Sequence, residues 1–380
     1  MMHKPWLTIL FLSVLPIATA QEKNITLEDI WNGSLRTERM EVLHSMDNGQ
    51  QYSVLNFNRI TRSTSVDLYD YKTQSKVQSL VDSKDLEAIA YFTNYNFSDD
   101  ESKILLASEV ESIYRRSTLG LFFVYDLALK KLQKISDYKI QEPTFSPDGS
   151  KVAYGFKNNL YVKDLETGQT KQITFDGEKN KIINGITDWV YEEEFAFVRA
   201  YEWNADGQKI AFLRFDETLV PEFSMDVYGR ALYQTQQVFK YPKAGEKNAV
   251  VSLYVWDLNT DSTTKVKLQK PYNDFYIPRI KWTSDASVLS AQYLNRLQNE
   301  LDLWTIDTTS NKSSILLTET DAAYVDVTDN LTFLKDNSFI WTSEKDGHNH
   351  LYHYNKNGQL INQLTKGDWE VTAYYGYDEK

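Results

Sequence analysis

Short runs rich in Val, Ile, Leu, Tyr and Phe recur along this chain, many of them ended by polar turn residues such as Asp, Asn, Gly or Pro. Such runs favour strands over helices, so the pattern predicts strands joined by tight turns. One local arrangement occurs six times: two strand-forming residues, an Asp or Asn, a polar turn, then another strand. The copies are Leu68-Tyr69-Asp70-Tyr71, Val124-Tyr125-Asp126-Leu127, Val162-Lys163-Asp164-Leu165, Val255-Trp256-Asp257-Leu258, Thr305-Ile306-Asp307-Thr308 and His353-Tyr354-Asn355-Lys356. At that position Asp or Asn opens a turn by accepting from its own backbone.

A second hairpin signature alternates with the first. Phe145-Ser146-Pro147-Asp148-Gly149 leads into Lys151–Tyr154, and Trp203-Asn204-Ala205-Asp206-Gly207 leads into Lys209–Phe212. Weaker copies start at Trp282 and Phe333. Two hairpins per repeat make four strands, and four-stranded units in series are the blades of a β-propeller. The turn residues are spaced 56, 38, 93, 50 and 48 positions apart from Asp70 to Asn355. Blades run about 40–50 residues, so the 93-residue interval holds one blade and an excess of comparable length. The stretch Phe215–Lys247, with Pro221, Pro242 and Gly245 and several aromatic residues, reads as an arm outside the regular blade. Thr26–Leu35 reads as a short helix capped by Thr26. The expected class is all-β, a propeller of about six to seven blades in one domain over 21–380.

Composition adds an address and excludes partners. His3 and Lys4 precede the apolar run Trp6–Leu12, and Ala18-Thr19-Ala20 supplies a small-residue cleavage site, so 1–20 reads as a secretory signal peptide. Export to a periplasm or the extracellular space follows. The chain has no cysteine, so an exported protein must rely on its core instead of disulfides. No later run is long enough to span a membrane. The net charge of −12 argues against nucleic acid or an anionic membrane as partner.

A catalytic centre is not legible. There is no G-x-S-x-G elbow, no cysteine nucleophile, no zinc-binding H-E-x-x-H and no glycine-rich phosphate loop. His348, His350 and His353 lie close together, with His348 and His350 placed on one strand face, but no further ligands can be assigned. A structural role is the expectation, with no metal and no cofactor. What stands out is Asp188-Trp189-Val190-Tyr191-Glu192-Glu193-Glu194-Phe195. Thr187 or Asp188 can cap a short helix whose first-turn glutamates meet the positive end of its dipole, aiming negative charge in one direction. The plain alternative is a solvated acidic turn; the aromatic frame favours a site for a cation such as an ammonium, a guanidinium or a metal.

The run Gly185–Phe195 resembles the double-glutamate motif of the dipeptidyl peptidase IV family. Matching runs lie in order around it: Ile113-Tyr114-Arg115-Arg116-Ser117, Phe215–Thr218, Val220–Ser224, Tyr241–Gly245 and Gly367–Val371. The resemblance implies an eight-bladed propeller followed by an α/β-hydrolase domain with Ser, Asp and His, in a serine exopeptidase that releases Xaa-Pro or Xaa-Ala dipeptides. It implies that Glu193 and Glu194 bind the substrate's terminal ammonium and that Arg115, or Arg116 if the register differs by one, holds the first carbonyl. Replacement of Glu192 by glutamine is expected to be mild. An element of the far pocket wall would fall near Tyr324–Asp326. The resemblance further implies pairing of two copies through the arm Phe215–Lys247. The hydrolase domain is absent from this sequence, so the expectation is an incomplete propeller that anchors peptide N-termini without a nucleophile of its own. The alternatives are a stand-alone propeller that binds peptides or proteins without catalysis, and a propeller with no ligand.

Overall fold

A computed structural model describes residues 24–37 and 42–378; the leader expected over 1–20 lies outside the described residues. Helix α1, Leu27–Trp31, starts at Thr26, and Thr26 and Asp29 cap each other's backbone N–H. It stops short of the expected Leu35 because Asn32 closes it and Gly33 follows at φ +82°, the left-handed conformation that ends helices. By its contacts the chain divides into a unit up to Val42, which holds α1, and a second from Leu43 onward.

The second unit is built of strands. Among the described residues six sheets of four or more antiparallel strands follow one another along the chain. The first is Leu43–Ser45, Gln51–Asn58, Ser63–Asp70 and Lys76–Asp82. The second runs from Asn94 to Lys134, the third from Gln141 to Gln172, the fifth from Phe275 to Thr320 and the sixth from Thr332 to Gln363, each with its strands in chain order. The fourth, between Ile182 and Lys265, is irregular and carries the site. Six sheets meet the lower bound of the expected six to seven.

The repeated Asp ends the third strand of its four-stranded path, and Asn355 directly follows its strand, His350–Tyr354. Asp70 accepts from Thr73 N–H, Asp164 from Glu166 and Thr167, Asp307 from Thr309 and Ser310, and Asn355 from Asn357 and Gln359. The second signature joins the first strand to the second, as between Phe145 and Lys151.

Alternation along the middle strands explains why the sheets stack. In the second sheet Ile104, Leu106, Phe123 and Tyr125 pack on Val66 and Val81 of the first. The residues between them, Leu105 and Val124, pack on Val152 and Tyr154 of the third. In the same way Ile210, Phe212 and Trp256 of the fourth sheet face the third, while Ala211, Leu213, Val251 and Val255 face the fifth. Each central sheet therefore buries both faces against its sequence neighbours, which is the packing of propeller blades.

The fourth sheet has a divided inner edge. Ile182–Asn184 pairs with one end of Lys209–Asp216 and Tyr201–Trp203 pairs with the other, so residues 185–200 leave the sheet and return to it. A second excursion forms the arm, a hairpin of Glu222–Val227 and Thr235–Lys240. Phe215 does not belong to it: the residue lies within Lys209–Asp216 and is fully buried, because its side chain falls on the core-facing side of that strand. These two excursions account for the long interval between Asp164 and Asp257.

Candidate functional site

The first excursion holds helix α2, Trp189–Glu194. Asp188 caps it by accepting from Tyr191 N–H at 3.0 Å. Two contacts fix where the excursion sits. Gly185 occupies φ +72° with its Cα against Leu160, where a Cβ would come within 2.4 Å of that side chain. Tyr191 reaches the fifth sheet, and its hydroxyl accepts from Ile277 N–H at 2.8 Å.

The three glutamates do not point in one direction, contrary to the sequence expectation. The cap at Asp188 starts the helix at Trp189, so Glu193 and Glu194 fall at its C-terminal end, away from the favourable pole of the dipole. Successive residues on a helix turn by about 100°, and the carboxylates spread accordingly. Glu192 is 2% exposed and turns inward, where one oxygen accepts from Arg116 N–H at 2.7 Å and Ser117 N–H at 2.8 Å. Glu193 is half-buried and pairs with Arg115, Nε to Oε2 at 3.0 Å. Glu194 is exposed. Repulsion is thus relieved by divergence and by separate partners.

Of the two candidate arginines, Arg115 supplies a guanidinium to the acidic helix, and Arg116 supplies only its backbone. Both belong to the loop between Lys103–Ser112 and Thr118–Asp126 of the second sheet, folded over by a bond from Ile113 N–H to Ser117 O. The arm covers this junction. Trp189 meets Tyr241 edge-on at 4.5 Å between ring centroids, and Phe239 packs on both Trp189 and Tyr114. An open pocket results, walled by Tyr114, Trp189, Phe223, Phe239 and Tyr241, with Arg115 and Glu193 at its charged rim. Near enough to Tyr114 for their charge to act on it are two buried carboxyls that sequence reasoning passed over as site residues, Asp188 and Glu217. Burial pushes Asp188 up to about 6. Burial raises Glu217 to about 7, with the charge of Asp188 adding and Lys240 opposing. Burial and these carboxylates also push the Tyr114 phenol up to about 12.

A family model for the dipeptidyl peptidase IV N-terminal region matches residues 98–380. The chain belongs to the dipeptidyl peptidase IV family. It is similar to human prolyl endopeptidase FAP, 27% identical over 366 residues that cover 91% of this chain and 47% of that protein. Similarity to the inactive dipeptidyl peptidase 10 of Rattus norvegicus is 28% over 308 residues, 76% of this chain and 38% of that one. Among solved structures, dipeptidyl peptidase 4 of Porphyromonas gingivalis superposes with a TM-score of 0.87 at 35% identity, covering 94% of this chain and 51% of that chain. The chain thus spans about half or less of the length of these relatives. The four-stranded antiparallel sheets of this dipeptidyl peptidase IV N-terminal region match the fold of that solved structure.

The other sequence candidates fall elsewhere. Tyr324–Asp326 line a separate open cavity with Glu319, Trp341 and Glu370, although the charge of Glu194 still reaches the Tyr324 phenol. His350 is buried in strand His350–Tyr354, its ring nitrogens on Thr365 Oγ1 and Gly367 O; His353 bonds Ser338. His348 precedes that strand, so the shared strand face expected for His348 and His350 does not exist. Among the described residues no group of three or more His, Asp or Glu is placed to hold a metal, and no helix is long and apolar enough to cross a membrane.

Proposed function

We propose that this region anchors the free N-terminus of a peptide substrate in an exported serine dipeptidyl peptidase that removes Xaa-Pro or Xaa-Ala dipeptides. Glu193 and Glu194 take the terminal ammonium, and Arg115 takes the carbonyl of the first residue. The observation that carries the reading is the Arg115–Glu193 pair, assembled from two different blades beside Glu194. The Arg115 side chain is 73% exposed and that of Glu193 17% exposed, and an ion pair with one partner in solvent adds only about 0–1 kcal/mol to stability. The guanidinium therefore remains available to a substrate carbonyl, with Glu193 and the exposed Glu194 beside it for an ammonium. Fixing both ends of the first residue sets how far into the protein the following bonds reach, which would make the site a ruler for dipeptides. Export rests on the leader expected over 1–20. Pairing of two copies through the arm is supported by the exposure of Met225, Tyr228, Leu232, Tyr233 and Val238 on one hairpin; a shift from dimer to monomer in Leu232→Lys, read by light scattering, tests it.

The anchoring is tested by calorimetric titration of the full chain with Ile-Pro-Ile and its N-acetyl form. A preference for the free amine of about thirtyfold or more, lost in Glu193→Gln and in Glu194→Gln, is expected, since removing one partner of a desolvated charge contact costs about 2–5 kcal/mol. Equal binding of the two peptides refutes the ammonium reading. Retained binding with no preference supports instead a propeller that binds peptides without reading their ends.

A further inference from the structure

We infer that Glu192, the first glutamate of the triplet, is a positioning residue that sets the place of Arg115; the inference rests on the ammonium-anchoring reading above. A buried carboxylate is costly unless its charge is answered by hydrogen bonds, and that of Glu192 is answered by two backbone N–H groups of one loop, those of Arg116 and Ser117. Those two groups are free to turn to it because the strand ladder of the second sheet ends at the pair Ser112 and Thr118. Arg115 itself is largely exposed, and among the described residues its guanidinium makes one ion pair, to Glu193. Its position is therefore fixed through the backbone just behind it.

Glu192 and Glu193 are adjacent on one turn of α2. The first carboxylate grips the loop backbone from the inside, and the second meets the side chain which that backbone presents. A single helical turn of the fourth blade thereby holds both ends of Arg115, a residue of the second blade. The whole chain between them, including the third blade, has to be in place for this to happen. Glu192 touches no ligand in this arrangement. It determines where the guanidinium stands relative to Glu193 and Glu194.

The chemistry of the contact predicts a graded series. Both bonds go to one oxygen of Glu192. Glutamine keeps an oxygen there and loses the charge; alanine loses both. The full chain and the variants Glu192→Gln, Glu192→Ala, Arg115→Ala and the corresponding double variants are titrated with Ile-Pro-Ile and its N-acetyl form, and amide exchange is followed at Arg116 and Ser117. Glu192→Ala is expected to weaken binding of the free peptide about tenfold or more, and Glu192→Gln about two- to fivefold, because charge-assisted bonds are roughly twice as strong as neutral ones. Exchange at both amides should speed up in the same order. The deciding result is the double variant. If Glu192 acts through Arg115, adding Glu192→Ala to Arg115→Ala costs nothing further; if the losses multiply, the positioning role is overturned. Should the alanine variant not fold, the isosteric glutamine cycle carries the same test. A wild-type chain that discriminates between the peptides, with Glu192→Ala discriminating equally, sinks this inference alone. A wild-type chain that binds both alike sinks the anchoring reading and the inference with it.

Discussion

Tyr191→Phe removes one oxygen from the middle of α2 and leaves the ring. The ring sits among Phe195, Phe215 and Tyr276, with centroids 5.1, 4.8 and 6.1 Å away, so packing is nearly conserved. The lost group is the acceptor for Ile277 N–H. Ile277 is fully buried, and its strand changes register between Tyr276 and Arg279, which takes its N–H out of the ladder. Pro278 follows and offers no donor that could rearrange to share a partner. A buried donor left without an acceptor costs about 1–3 kcal/mol. That loss is expected in equilibrium urea unfolding, together with faster exchange of the Ile277 amide. Because this bond also ties α2 to the fifth blade, affinity for a free-amine tripeptide should fall. A stability change below about 0.5 kcal/mol, with Ile277 still protected, would refute the accounting, since the N–H would then have another partner.

Further outcomes follow from the same region. Gly185→Ala forces a Cβ into Leu160 at φ +72°; the left-handed backbone costs about 1–2 kcal/mol and overpacking about 1–3, so reduced soluble yield and a lowered melting midpoint are expected, with a midpoint equal to wild type as the contrary result. The folded state raises Asp188 to about 6 and Glu217 to about 7. Carboxyls whose pKa rises on folding contribute stability that is fully present below their unfolded values of about 4 and is lost as pH rises through the folded ones. The melting midpoint should therefore fall between pH 5 and 8, by an amount equivalent to about 1–3 kcal/mol, and Glu217→Gln should flatten the upper part of the profile. A carboxylate held low, such as Asp100 at about 2 through its bonds to Ser98 and Ser102, titrates below that window and does not mask the effect. A midpoint that rises from pH 5 to 8 would contradict it.

The blade architecture was legible because it is written locally. A run of strand-forming residues, an Asp that caps its own turn and a Pro-Asp-Gly hairpin each act within a few residues, so strand ends at Asp70, Asp126, Asp164 and Asp307 needed no tertiary information. The acidic helix and its cap at Asp188 were readable for the same reason, as was Arg115 once the motif runs were set side by side. Direction was not. Which way each glutamate faces depends on where the cap starts the helix and on what stands across from it, and Glu192 meets Arg116 and Ser117 from more than 70 positions away. The inward turn of Glu192, the elevated Asp188 and Glu217 and the roof formed by the arm exist only because the excursions of the fourth blade meet the loop of the second and a strand of the fifth. Short-range chemistry set the strands and turns; long-range packing decided which charges are buried, which are paired and which stay exposed to solvent.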